Sequence, residues 1–154
     1  KSPIAPIDIL QKSILFFTNE FNSKKLKIIN NLNSSSSIIH GDEQRLHQVF
    51  HNLLENNLKY THQPGSVIFE SEINHQNLII TVRDSGPGVP DGSFDSLFDR
   101  LYRVDTSRNR KTGGSGLGLA ICKYIIINHQ GEISASNFQN GLQIKISLPL
   151  NSTP

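Results

Sequence analysis

The chain of 154 residues has a single cysteine, so no intrachain disulfide can form and cohesion must come from a packed core. Such sparing use of thiols suits a reducing compartment. An excess of either charge is also missing. Fifteen Lys and Arg against 13 Asp and Glu leave a formal net charge of +2, too small for a surface that grips nucleic acid across the whole fold. Long apolar runs are absent too: the longest, 13–17 and 125–127, fall far short of the ~20 residues that span a bilayer. No secretory leader is visible. No Gly–Lys–Ser/Thr follows a glycine loop, which excludes a Walker A motif. His47 and His51 are four apart, but Gln48, Val49 and Phe50 lie between them where a zinc-protease helix requires a Glu. Cys122 sits in an apolar helical pattern and reads as core. With 36% hydrophobic and 18% charged residues, the chain has the composition of an ordinary globular unit, long enough for one domain with a real core.

Periodicity divides the chain into elements. Ile7, Leu10, Ile14, Phe17 and Phe21 recur at helical spacing and predict a first helix over 7–21. A strand is expected over 26–32, a polar loop over 33–37 and a short return strand over 38–40. Asp42 is suited to cap a long helix ending near Thr61, just before the Pro64–Gly65 turn. Residues 67–73 and 78–83 read as a hairpin, 117–129 as an apolar helix, and 131–138 with 142–148 as a second hairpin. Between them lies a long irregular stretch, 84–115, with one helical turn expected around 94–101. The order of helices and strands predicts an α+β two-layer sandwich, a mixed and mainly antiparallel sheet with about three helices on one face. Two prolines in KSPIAPID precede the first helix, so residues 1–6 are expected to be the remnant of a linker and 151–154 a tail.

Four segments carry chemistry, and their order is more informative than any one of them. In HNLLENNLKYT, at about 100° per residue, Asn52, Asn56 and Lys59 share one helix face. Leu46, Val49, Phe50, Leu53, Leu54 and Leu58 form the opposite, apolar stripe. Carboxamide oxygens can complete the shell of a Mg²⁺ already held by phosphates, and a Lys pairs with those phosphates. In DSGPGV, Asp84 ends a strand where a buried carboxylate can accept from an exocyclic amine, while Gly86 and Gly88 let backbone pass close to a planar base. LFDRLYR supplies aromatics and arginines within a basic loop containing Arg100, Arg103, Arg108, Arg110 and Lys111. GGSGLGLA runs into a helix whose free N-terminal amides can bind an anion. Taken singly, these segments are equally an amphipathic helix, a Gly–Pro turn, a solvated basic loop and a weak glycine motif. In this order they describe a cation–triphosphate–purine site.

With all four placed, the chain resembles the catalytic ATP-binding domain of sensor histidine kinases, in the superfamily shared with gyrase, Hsp90 and MutL. The resemblance covers about residues 7–150 and rests on RLHQVFHNLLENNLKYT and LFDRLYRVDTSRNRKTGGSGLGLAI. It is strongest toward membrane-bound sensor kinases that serve winged-helix response regulators. It implies the Bergerat ATP-binding fold with a long lid, with ATP and Mg²⁺ as cofactors. Asn56 would be the metal ligand, and Asn52, Lys59 and Tyr60 would line the phosphate and ribose side. Asp84 would receive the adenine amine, in a pocket shaped by Gly86, Gly88 and Val89. Phe98 and Arg103 would anchor the lid, while Gly114, Ser115, Gly116, Leu117, Gly118 and Leu119 would wrap the phosphates. Asn52, Lys59 and Arg103 would be the catalytic set. Two residues depart from the family pattern: Asn57 stands where a small residue is usual, and Leu101 replaces the second Phe of LFDRLYR.

Asn52 separates kinase from hydrolase. Hydrolytic members of the superfamily carry a water-activating Glu four residues before the metal-binding Asn, and a carboxamide cannot serve as that base. The resemblance therefore implies γ-phosphoryl transfer to a His on a helical hairpin absent from this chain. It also implies a downstream response regulator, a dimeric parent anchored in the bacterial inner membrane, and a cytoplasmic, monomeric ATP-binding fragment with no nucleic-acid partner. A hydrolytic relative, or a non-enzymatic nucleotide- or partner-binding module, remains the alternative.

Overall fold

The computed structural model describes residues 1–33, 37–88, 95–98 and 118–151. Helix α1 (Pro6–Ser23) starts on a proline, whose missing N–H lies where no intrahelical partner exists, and carries Asp8 in its first turn. Its face of Ile7, Leu10, Ile14, Phe17 and Phe21 is buried. Helix α2 (Glu43–Tyr60) is capped as expected, the Asp42 carboxylate accepting from the Arg45 N–H at 3.2 Å. Its apolar stripe of Leu46, Val49, Phe50, Leu53, Leu54 and Leu58 is buried between α1 and α3 (Gly118–Asn128).

The helices lie over a mixed sheet of β2 (Leu26–Asn31), β4 (Gly65–Asn74), β5 (Asn77–Asp84), β6 (Glu132–Phe138) and β7 (Gly141–Pro149), in the order β2-β4-β5-β7-β6. Among the described residues only the β2–β4 pair is parallel; the others are antiparallel. The period of two sends Val67 and Phe69, Leu78, Ile80 and Val82, and Ile144, Ile146 and Leu148 into one core with the helices. The two-layer α+β reading of the sequence therefore holds, with both hairpins where alternation placed them.

One pairing differs from expectation. The short strand β3 (Ile39–Gly41) does not return along β2; it pairs antiparallel with β1 (Ser2–Ile4), within the segment read as a linker. Burial of Ile4 and Ile39 in the common core accounts for that choice. The same corner is fastened by His129 at the end of α3. Its Nε2 accepts the Asp42 N–H at 3.0 Å, and its Nδ1–H donates to the Ile125 carbonyl at 2.8 Å. A Cβ on Gly41 would lie 2.7 Å from this imidazole, so only glycine fits there. The helix carrying Asn52 and Asn56 is thus fixed at its start by a side chain from the far end of the fold.

Candidate functional site

The polar face of α2 emerges as the helical angle requires. Asn52 and Asn56 are half-buried, whereas Lys59 and Tyr60 are exposed. Asn52 is not a free surface amide. Its Nδ2 donates to the Gly118 carbonyl at 3.3 Å, joining α2 to the first residue of α3. Behind it lies the Cys122 thiol, which donates to the Val49 carbonyl at 3.6 Å. Burial pushes this thiol up to about 12, partly offset by a hydrogen bond from the Asn52 side chain, so Cys122 is a core residue as the sequence suggested.

At the other side of the site, β5 ends on Asp84. Its Oδ1 accepts from the Gly86 N–H at 2.9 Å and from the Leu142 N–H at 3.1 Å. Burial holds this carboxyl above the ordinary carboxylate range, and those two N–H bonds oppose the shift. Glycines crowd around it. A Cβ on Gly141 would fall 1.8 Å from the Asp84 carbonyl oxygen, and one on Gly86, at φ +128°, would fall 2.6 Å from the Asn140 carbonyl. A Cβ on Gly88 would meet Asn137 Oδ1 at 2.3 Å. The two halves of the site are neighbours, since the His62 N–H just beyond α2 donates to the Gly86 carbonyl at 2.8 Å. A further pair of bonds, Ser85 N–H to the Ser66 carbonyl and Ser66 N–H to Ser85 Oγ, holds the turn against β4.

Of the remaining predicted residues, Phe98 closes a single turn of 3-10 helix (Asp95–Phe98) and is buried with Leu97 in the core. Gly118 opens α3, and Leu119 packs half-buried against the core. Val89, Arg103, Gly114, Ser115, Gly116 and Leu117 lie outside the described residues, as does Leu101. His47 and His51 stack with ring centroids 4.0 Å apart, and His51 abuts the Phe16 and Phe17 rings. Among the described residues no group of three or more His, Cys, Asp or Glu side chains is placed to hold a metal. Sequence reasoning did not find Leu142 and Gly141 as the support of Asp84. The Asn140–Gly141 dipeptide marks a hairpin turn, but its place beside Asp84 depends on the pairing of β5 with β7.

A two-layer sandwich that brings a helix face of carboxamides beside a glycine-lined carboxylate at a strand end is an architecture for binding a nucleotide. The chain belongs to the histidine kinase-, DNA gyrase B-, and HSP90-like ATPase family, which matches residues 41–152. It is 42% identical over 151 residues to the signal transduction histidine-protein kinase BaeS of Escherichia coli (strain K12), an alignment covering 97% of this chain and 32% of BaeS. The chain thus spans about a third of that relative's length. The catalytic domain of histidine kinase ThkA superposes with a TM-score of 0.85 at 22% identity, covering 96% of this chain and 94% of ThkA's domain. ThkA has also been solved with the response regulator protein TrrA; that chain matches with a TM-score of 0.82 at 21% identity, covering 97% of this chain and 42% of it. Full-length ShkA in complex with AMPPNP matches with a TM-score of 0.83 at 23% identity, over 99% of this chain and 31% of ShkA. At such identities the structural likeness speaks for the fold. Among the described residues no helix is long and apolar enough to cross a membrane.

Proposed function

We propose that this chain is the ATP-binding catalytic domain of a two-component sensor histidine kinase, holding Mg-ATP for γ-phosphoryl transfer to a His on a helical hairpin outside this chain. The residues present fit that ligand. Gly86, Gly88 and Gly141 let the backbone pack tightly at the Asp84 turn, where a Cβ would collide with Asn140, Asn137 and Asp84 respectively. The Asp84 carboxylate spends one oxygen on the Gly86 and Leu142 N–H groups, and the other, without a hydrogen-bond partner among the described residues, would accept from an adenine amine. Asn56 would be the protein's ligand to a Mg²⁺ held mainly by phosphate oxygens, and Lys59 beside it would pair with those phosphates. Arg103 and the glycine segment 113–118 would complete the phosphate side.

The observation that carries the reading is Asn52. Its amide nitrogen is committed to the Gly118 carbonyl, and a carboxamide has no basicity with which to activate water. Bound Mg-ATP supplies the phosphoryl group and the charge neutralisation that transfer requires, and this chain supplies position and orientation. The 42% identity to a signal transduction histidine-protein kinase supports a kinase parent; in this reading that parent is anchored in the bacterial inner membrane and dimeric through its hairpin, with a response regulator as its phosphate acceptor. The test mixes this domain, γ-labelled ATP and the parent's helical hairpin. Acid-labile label on a hairpin His supports the kinase. Steady release of inorganic phosphate, with no label on the hairpin, would establish a hydrolase instead.

A further inference from the structure

A second surface, sharing no residue with the nucleotide site, lies where α1 meets the open edge of the sheet. Among the described residues strand β2 pairs on one side only, with β4. Its register and the Gly65 N–H bond to the Lys25 carbonyl at 3.1 Å set the alternation of the ladder. Lys25, Lys27 and Ile29 turn their main-chain groups toward β4, so Ile28 and Asn30 turn N–H and C=O outward. Among the described residues those outward groups have no hydrogen-bond partner. Asn30 is exposed and Ile28 half-buried, so the edge is reachable. No proline or bulge interrupts it.

Beside this edge runs a groove of about 540 Å³ lined by Thr18 and Asn22 of α1 and by Lys25, Leu26, Lys27 and Ile28. Half-buried Ile28 gives it an apolar floor, Lys25 and Lys27 a cationic rim, and no carboxylate lines it among the described residues. A helix beside an unpaired edge strand is the geometry in which a peptide adds as an extra strand: its main chain bonds the edge and alternate side chains enter the groove. Lysines on an edge discourage a second copy of the same strand, because like charges would face each other. They favour an extended partner that is acidic.

We propose that the β2 edge and the α1–β2 groove form a strand-addition site for an extended acidic peptide segment. Its main chain bonds Ile28 and Asn30, an apolar side chain sits over Ile28, and its carboxylates face Lys25 and Lys27. The test is titration of ¹⁵N-labelled protein with a capped octapeptide of alternating Glu and Val. The comparison peptides are its Lys–Val counterpart and a Glu–Val peptide N-methylated on alternate amides. The Glu–Val peptide is expected to shift the Ile28 and Asn30 amides and slow their hydrogen exchange. The other two peptides, or the Lys25→Glu/Lys27→Glu variant, should bind at least about tenfold more weakly. No binding overturns the proposal, as do equal binding of all three peptides or shifts confined to elements other than β2 and α1.

Discussion

Replacing Asp84 with Asn should separate binding from stability in opposite directions. The carboxylate holds its turn through one oxygen, Oδ1, which accepts from both the Gly86 and the Leu142 N–H. An Asn can keep that oxygen in place, so the turn survives. The change falls on the other side, where an NH₂ donor replaces an acceptor and would face the exocyclic amine of a bound adenine. A hydrogen bond to a charged group contributes about 1.5–3 kcal/mol. At ~1.4 kcal/mol per decade, ATP affinity should fall roughly 10- to 150-fold. Inorganic triphosphate, which has no adenine, should bind the variant as it binds the wild type.

Stability moves the other way, and the sign follows from the raised carboxyl. Its value in the fold lies above its value in the unfolded chain, chiefly because burial disfavours the charged form. Between those two values the native state holds more protons than the unfolded state, so stability falls as pH rises through the window. Above the window the penalty persists. Asn carries no charge to bury, so the variant should be the more stable protein near neutrality, and the gap should close below the ordinary carboxylate range. Calorimetric titration with ATP and with triphosphate, plus thermal melts at neutral and acid pH, measures both effects. Equal losses for the two ligands would refute the adenine assignment. A wild type more stable than the variant near neutrality would refute the account of the buried carboxyl.

Three further outcomes are expected. Asn56→Ala should remove the Mg²⁺-dependent part of ATP affinity while leaving the melting temperature nearly unchanged, because the side chain is only half-buried; titrations with and without Mg²⁺ check this. His129→Phe should destabilise the fold by about 1–3 kcal/mol, since it leaves the Asp42 N–H at the start of α2 without its acceptor; urea unfolding measures it. Asn57→Leu should stabilise. Asn57 is buried in the apolar stripe and its Oδ1 has no hydrogen-bond partner among the described residues. Relief of that ~1–3 kcal/mol penalty should raise the melting temperature by about 2–4 °C per kcal/mol, whereas a lower melting temperature would show that the amide is satisfied.

What could be read from the sequence was whatever depends on neighbours along the chain. The α2 stripe and its Asp42 cap need only the helical period, and the β4–β5 and β6–β7 hairpins need only alternation and short turns. The position of Asp84 at a strand end followed in the same way. Contacts between distant elements were not readable. Leu142 donates to Asp84 from 58 residues away, Asn52 reaches Gly118 across 66, and His129 reaches Asp42 across 87. Strands β1 and β3 are three residues each and carry no period, so only burial of Ile4 and Ile39 decides their pairing. By helical angle Asn57 falls on the apolar stripe, a conflict legible in the sequence, but that its oxygen has no partner among the described residues emerged only from the packing.

Asn52 shows how a local contact bears on the kind of reaction this site can run. From sequence it is a missing base. In the fold its nitrogen is a donor to the Gly118 carbonyl, with the Cys122 thiol behind it. A Glu at this position would lose that donor and set a carboxylate oxygen against a carbonyl oxygen, two acceptors with no proton between them. Relief would require either a protonated Glu, which is no base, or a shift of α3 away from α2 at the point where the glycine segment enters the helix. The backbone around Asn52 thus favours an amide and disfavours the residue that hydrolysis needs. The same bond ties the Asn52–Asn56 face of α2, the proposed metal-binding face, to Gly118, where the segment proposed to wrap the phosphates joins α3, so in the proposed reaction Asn52 acts by holding these two parts in register.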